Sequence, residues 1–141
     1  MARGTRSVTF KATDTNGVVL RIWNLTASFA RGASGSSLAS FTLPNVPAGT
    51  THLSAKTVWN LRKRLPVTFS NSLATVSFTS NHRLPGGDFD DSNLVDYTDF
   101  NQLATFWYTT DTASDINGSG LVDIEDYFIL ASRWYQQGDA E

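Results

Sequence analysis

Oxygen-bearing side chains recur at alternate positions in two twelve-residue stretches, 88–99 and 115–126. Hard cations such as Ca²⁺ take about six to eight oxygen ligands, and a twelve-residue loop can supply them from positions 1, 3, 5, 7, 9 and 12. The spacing therefore predicts two calcium ions. Their ligands are Asp88, Asp90, Ser92, the Leu94 carbonyl, Asp96 and Asp99 in the first loop, and Asp115, Asn117, Ser119, the Leu121 carbonyl, Asp123 and Asp126 in the second.

The two loops belong to an internal repeat with a period of 27 residues. Aligning residues 88–108 with 115–135 gives ten identities in 21 positions, far more than unrelated segments share. After each loop the apolar residues change to a helical spacing, so we expect one helix behind each loop. Position 6, where the loop turns sharply, is Gly120 in the second loop and Asn93 in the first. Asn tolerates the left-handed backbone better than most residues, so both loops can make this turn.

Both loops depart from the standard EF-hand pattern in the same two places, with Ser at position 5 and Asp at position 12. With these features, residues 86–137 resemble a type I dockerin. The resemblance implies two calcium loops, each followed by a helix, and binding to a cohesin domain. It also implies partner contacts from loop positions 10 and 11, which are Tyr97, Thr98, Ile124 and Glu125 here. The alternative is that these four side chains pack against the rest of the chain or face water.

The first half of the chain has the pattern of β-structure. Short apolar or alternating runs, separated by turn residues, occur at 7–12, 18–23, 25–29, 38–43, 51–58, 65–69 and 73–79. About seven strands at this spacing predict an antiparallel β-sandwich. The run FTLPNVPAGT at 41–50 resembles the strand-ending turn of carboxypeptidase-regulatory-like and Cna-B-like sandwiches. That resemblance implies a non-catalytic spacer or adhesive module.

Charge divides the chain at a Pro/Gly turn at residues 84–87. Residues 1–84 carry ten Lys or Arg and one acid, a net charge of +9, whereas residues 85–141 carry one Arg and twelve acids, a net charge of −11. An asymmetry of this size indicates two units with different roles. We therefore predict a β-sandwich domain over 1–84 and a small α-helical, dockerin-like domain with two EF-hand-like calcium loops over 85–141.

The composition excludes several classes of function. The chain has no Cys and only two His, which rules out cysteine nucleophiles, disulfides and multi-histidine metal sites. The first half has a single acid, Asp14, and so lacks the paired carboxylates of a glycoside hydrolase. No run is long enough for a membrane helix, and the acidic half would repel nucleic-acid phosphates. We predict no catalytic residues, no enzyme activity, no nucleic-acid binding and no membrane span.

These observations predict a non-catalytic, calcium-binding structural protein that acts through protein–protein contacts outside the cell or at its surface. Loops that depart from the sensor pattern suit the millimolar calcium found there. Because no catalytic domain accompanies the loops, the leading hypothesis is a subunit of an extracellular assembly, such as a filament, whose partner is a second copy. The first ten residues lack the apolar segment of a signal peptide, so we expect either a piece of a longer secreted protein or another export route.

Two alternatives stay open. One is a tether that binds a separate cohesin within a polysaccharide-degrading complex. The other is a carbohydrate-binding sandwich that uses Trp23 or Trp59 as a sugar-stacking platform. Asn24, in an Asn-Leu-Thr sequon, is in either case a candidate glycosylation site.

Overall fold

The computed structural model of the chain describes residues 2–31 and 37–141. In chain order its elements are β1 (Ala2–Thr13), β2 (Val19–Arg31), β3 (Ser37–Leu38), β4 (His52–Thr57), β5 (Asn60–Pro66), a 3₁₀ turn (Ser80–His82), α1 (Tyr97–Thr105) and α2 (Ile124–Ala131). Among the helices of these two ranges, none has the length and apolar character needed to cross a membrane.

The strands form one antiparallel sheet in the order β3-β2-β1-β4-β5, in which β3 is only two residues long. A tight turn joins β1 to β2, and the Asp14 carboxylate stabilises it by accepting from the N–H groups of Asn16 and Val18. The other edge of β1 pairs with β4, so β1 is the central strand. Alternate β1 side chains are buried, which is the period of a strand with one covered face. They are Val8, Phe10 and Ala12.

The predicted seven-strand sandwich is wrong, because the described residues form a single sheet. The predicted fold of a sandwich plus a dockerin-like helical domain is replaced by one sheet and two short helices. Loops rather than a second sheet cover the apolar face. The Phe10 ring, for example, lies 4.9 Å from the Phe41 ring and 6.4 Å from the Phe78 ring, centroid to centroid. The covering loops contribute Phe41, Leu43, Val46, Phe78 and Leu84.

Particular runs explain this error. The runs 18–23 and 25–29 belong to one continuous strand, β2, with Asn24 paired opposite Thr9. The run 38–43 leaves the sheet after Leu38, and the run 73–79 has no regular structure beyond one bridge between Ser70 and Leu73. An extended loop that covers a hydrophobic core can place alternate side chains toward the core, as Phe41 and Leu43 do. Its sequence then shows the same alternation of apolar and polar residues as a strand.

A second core joins the sheet to the helices. Leu103 in α1 and Leu130 in α2 fill equivalent places in it, and both are 0% exposed. Leu61 of β5 packs in the same core, so the basic and acidic halves of the chain share it. Its buried members are Leu61, Phe89, Val95, Leu103, Ile116, Val122 and Leu130.

The internal repeat is preserved in the backbone. The Val95 carbonyl in the first loop accepts from the Tyr135 N–H, beyond α2, at 2.8 Å. The Val122 carbonyl in the second loop accepts from the Tyr108 N–H, beyond α1, at 2.9 Å. Tyr108 and Tyr135 share a left-handed backbone, with φ of 58° and 59°. Each loop is therefore held by the chain that follows the other repeat's helix.

Candidate metal centre

Both predicted loops end at a helix N-terminus that is capped by their own carboxylates. Asp96 caps α1 and Asp123 caps α2, each by accepting from a backbone N–H of the first turn. Three residues later, Asp99 and Asp126 accept from the N–H of the cap residue at 2.8 and 3.0 Å. This capping box fixes the last two acidic positions of each loop relative to one another.

Three carboxylates converge in the first loop. Ligand-capable oxygens of Asp88, Asp90 and Asp99 lie within 4.8 Å of one another, and Asp88 and Asp99 are fully buried. Burial raises the pKa of Asp88 and of Asp99 above the ordinary range, and the charge of Asp90 adds to the effect on Asp99. Hydrogen bonds from the backbone N–H groups of Phe89 and Asp90 to Asp99 act in the opposite direction. A divalent cation would relieve the repulsion, so this cluster has the chemistry of a hard-metal site.

One oxygen of Asp88 is an independent indication of a ligand. Asp88 Oδ2 accepts from Lys56 Nζ at 2.6 Å and from the Asn93 N–H at 3.0 Å. Asp88 Oδ1 is buried and has no hydrogen-bond partner. Because an unpaired buried carboxylate oxygen is costly, Oδ1 fits a cation ligand beside Asp90 and Asp99.

The remaining predicted ligands of the first loop are engaged within the loop. The Ser92 hydroxyl donates to the Leu94 carbonyl at 3.1 Å, and Asp90 accepts from the Ser92 N–H at 3.0 Å. Asp96 is half-buried and serves as the cap of α1. The structure therefore brings the carboxylates of Asp88, Asp90 and Asp99 together. Of the other three predicted ligands, Ser92 is exposed, and Leu94 and Asp96 are half-buried.

The second loop repeats this pattern with one carboxylate fewer, because Asn117 stands at its third position. Asp115 is buried and accepts from the Ser119 N–H at 2.9 Å. Asp126 is also buried and accepts from the Asn117 N–H at 3.0 Å, and burial raises its pKa. The Ser119 hydroxyl donates to the Leu121 carbonyl at 3.0 Å, as in the first loop.

Cations of the sheet stand beside both loops. Lys56 of β4 contacts Asp88 and also Asp91, whose Oδ1 lies 2.6 Å from Lys56 Nζ. Arg6 of β1 donates to the Ile116 carbonyl in the second loop at 3.1 Å. Burial lowers the pKa of Arg6 to about 10, and the nearby charge of Asp115 opposes this shift.

The two halves of opposite charge pair within one molecule. Over residues 2–31 and 37–141, the ion pairs that the structure shows each join a base of the first half to an acid of the second. These pairs are Lys11 and Arg62 with Glu141, Lys56 with Asp88 and Asp91, and Lys63 with Asp139.

Position 6 differs between the loops for a structural reason. Asn93 has a φ of 67°, and its side-chain oxygen accepts from the Arg62 N–H at 2.7 Å. Its side-chain amide donates to the Asp139 carbonyl at 3.3 Å. Gly120 has a φ of 100°, and a Cβ placed there would meet nothing within 4 Å. The first loop therefore docks on the edge of β5 through its turn, whereas the same corner of the second loop faces open space.

The four residues predicted to contact a partner lie at the surface. Tyr97 and Ile124 are 64% and 48% exposed, and Thr98 and Glu125 are exposed as well. Asn24, the predicted glycosylation site, is exposed in β2, where its side-chain oxygen accepts from the Thr9 hydroxyl at 2.9 Å.

Both tryptophans named for sugar stacking are in contact with other parts of the chain. Trp23 is buried, and its Nε1 donates to the Pro44 carbonyl at 3.2 Å. Trp59 is half-buried, and the Arg6 guanidinium lies 3.8 Å from the centre of its ring. Both rings serve packing in this structure.

The sequence does not predict the roles of Lys56, Arg6 and the Asn93 side chain beside the loops. Lys56 and Arg6 belong to no recognisable motif, and the Asn93 side chain bonds to residues outside its loop, so all three act across contacts between distant segments. The opposite net charges of the two halves indicate that bases of one half pair with acids of the other, but they do not indicate which residues pair.

Comparison with known proteins gives no match: no family model fits the chain, and no curated protein or solved structure is significantly similar to it.

Proposed function

We propose that the chain binds two calcium ions in the loops 88–99 and 115–126 and acts as a non-catalytic module for protein–protein assembly outside the cell. The observation that carries the calcium part is the first-loop cluster. Asp88, Asp90 and Asp99 converge there, and Asp88 Oδ1 is buried without a partner. The second loop has the same backbone hydrogen bonds, which supports a second ion.

Calcium suits this donor set better than the other common metals do. The candidate ligands are carboxylate, hydroxyl, amide and carbonyl oxygens, and softer metals prefer nitrogen or sulfur. The buried carboxylates are costly to ionise without a cation. We therefore expect calcium to contribute a large share of the folding free energy of residues 85–141.

The assembly part rests on what the loops and helices leave at the surface. Tyr97, Ile124 and Phe128 are large apolar side chains that the chain leaves exposed near the helix N-termini and on α2. Aromatic side chains such as Tyr97 and Phe128 are enriched in interfaces. The dockerin resemblance of residues 86–137 supports the same kind of role. We favour a structural subunit that contacts further copies, and a separate cohesin-like partner is the second candidate.

Calorimetric titration with calcium tests the metal part. We expect two sites in the chain, and Asp99→Asn and Asp126→Asn should each remove one site while keeping the other. Each substitution removes a charged ligand but keeps a side chain of the same size. Asp111→Asn, an acid between the repeats that is no predicted ligand, is the matched control and should keep both sites. Absence of calcium binding in the unaltered chain would contradict the proposal.

Light scattering behind a sizing column tests the assembly part. We expect large particles in millimolar calcium that dissociate when a chelator is added. A monomer under both conditions would reject self-assembly and favour a separate partner protein.

A further inference from the structure

Lys56 is a buried ammonium surrounded by oxygens of both halves of the chain. The residue is 7% exposed. Its three N–H donors have four acceptors within reach: Asp88 Oδ2 and Asp91 Oδ1, each 2.6 Å from Nζ, and the carbonyls of Asn60 at 3.1 Å and Thr57 at 3.3 Å. Four oxygens around one cation make a site that is built from the end of β4, the start of β5 and the first loop.

Asp88 is shared between this ammonium and the acidic cluster. Its Oδ2 is used by Lys56 and by the Asn93 N–H, so Oδ1 is the atom left for a metal ion with Asp90 and Asp99. A calcium ion bound there would have the Lys56 charge on the other side of one carboxylate. Two cations on one carboxylate compete for its charge and repel each other.

We propose that Lys56 is a resident counter-ion of the first loop. It replaces part of calcium's charge when the metal is absent and lowers the loop's calcium affinity when the metal binds. This inference rests on the proposed calcium function and deepens it. Lys56 acts through Asp88 and is therefore a positioning residue, since it is not itself a ligand.

Because of Lys56, docking of the first loop on the sheet and stabilisation of that loop by calcium become separate effects. The metal-free first loop keeps a cation at Asp88 and Asp91, so it stays docked on the sheet through Lys56. Calcium then adds less stability than it would to a loop without a counter-ion. Lys56, a residue of the sheet, thus sets the calcium affinity of the first loop, although the ligands of that loop lie in the other half of the chain.

Site-resolved calcium titration by NMR tests this role of Lys56. The Asn93 N–H donates to the first carboxylate of its loop at 3.0 Å, and the Gly120 N–H makes the same bond to Asp115 at 2.8 Å. These two amides are equivalent reporters of the two loops. We expect Lys56→Met to raise the affinity read at Asn93 about tenfold, because one opposing charge is removed. The affinity read at Gly120 should change by less than about twofold.

Thermal unfolding supplies a readout without bound metal. Lys56→Met should lower the melting temperature more in chelator than in saturating calcium, because only the chelated state leaves the buried Asp88 without a cation. A difference of about 5 °C or more is expected for a chain of this size. Lys56→Gln, whose amide can still donate to the Asn60 and Thr57 carbonyls, is the second variant if Lys56→Met does not fold in chelator.

Lys63→Met is the matched control. It removes the same charge from the neighbouring strand, where Lys63 Nζ lies 3.6 Å from the Asp139 carboxylate. The affinity read at Asn93 should then stay within about twofold of that of the unaltered chain.

The possible outcomes are distinct. If neither amide responds to calcium in the unaltered chain, the proposed function fails first. If both respond but Lys56→Met leaves the Asn93 affinity unchanged or lowers it, calcium binding stands and the counter-ion role is rejected. An equal loss of melting temperature in chelator and in calcium would also reject it.

Discussion

The two loops have nearly the same sequence pattern and meet different surroundings. The first lies against the sheet, where Lys56 contacts Asp88 and where Asn93 bonds to the backbone of Arg62 and Asp139. The second has an open turn at Gly120, and Arg6 of the sheet donates to its Ile116 carbonyl. The two copies of the motif keep equivalent internal hydrogen bonds. Their contacts with the sheet differ, because those contacts depend on residues outside the motif.

The docked side of the first loop continues into residues 138–141. Gly138 donates its N–H to the Asn93 carbonyl at 2.9 Å, and Asp139 donates to the Arg62 carbonyl at 2.9 Å. A Cβ on Gly138 would lie 2.6 Å from the Arg62 nitrogen, so only glycine fits this close approach. The loop, this segment and β5 therefore form one continuous contact.

The largest expected effect tests where the two repeats are alike. Leu103→Ala and Leu130→Ala should each lower the free energy of unfolding by about 2–5 kcal/mol, because both remove a fully buried side chain from the shared core. Urea unfolding in saturating calcium measures the loss. Phe128→Ala, at a side chain 61% exposed on α2, is the control and should cost less than about 1 kcal/mol. A large loss for one variant alone would show that Leu103 and Leu130 do not fill equivalent places in the shared core.

The next effect tests where the loops differ. Asn93→Gly should lower the free energy of unfolding by about 1–3 kcal/mol, because the Arg62 N–H loses its side-chain acceptor and the loop loses its dock on β5. The reverse change, Gly120→Asn, should add no stability, since a Cβ placed there meets no atom within 4 Å and the added side chain points into open space. Urea unfolding with and without chelator measures both variants. If Gly120→Asn raised the free energy of unfolding, the turn at Gly120 would not be open, and the distinction from the docked turn at Asn93 would be wrong.

The smallest effect concerns the end of the docked segment. A hydrogen bond from Lys11, helped by the charge of Arg62, lowers the pKa of Glu141 below its ordinary 4.5, and partial burial opposes this. A carboxylate with a lowered folded-state pKa stabilises the fold above its ordinary pKa, and that stability is lost as the pH falls through the lowered value. Glu141→Gln should therefore cost less than about 1 kcal/mol at pH 7, since the pair is partly exposed. Thermal unfolding of both chains from pH 7 to pH 3 measures the cost, and a gap that grows on acidification would contradict this sign.

Periodicity was more informative for the helices than for the strands. The change to helical spacing after each loop predicts α1 and α2, and both form at those places. The runs 38–43 and 73–79 predict strands, and the structure has loops that cover the sheet from one side. A period of two marks a segment with one buried face, and it does not distinguish a hydrogen-bonded strand from an extended loop.

The sequence by itself determined the repeat, the twelve-residue loops, their helices and the charge of each half, because these depend on neighbours within a few residues. Only the tertiary structure decided that one sheet stands where a sandwich was expected, and that Leu61 joins the core of the helices. It also decided that Lys56, 32 residues away in the chain, contacts the first carboxylate of a loop. Such contacts depend on which surfaces pack together when the chain folds, and a local pattern of residues does not indicate this.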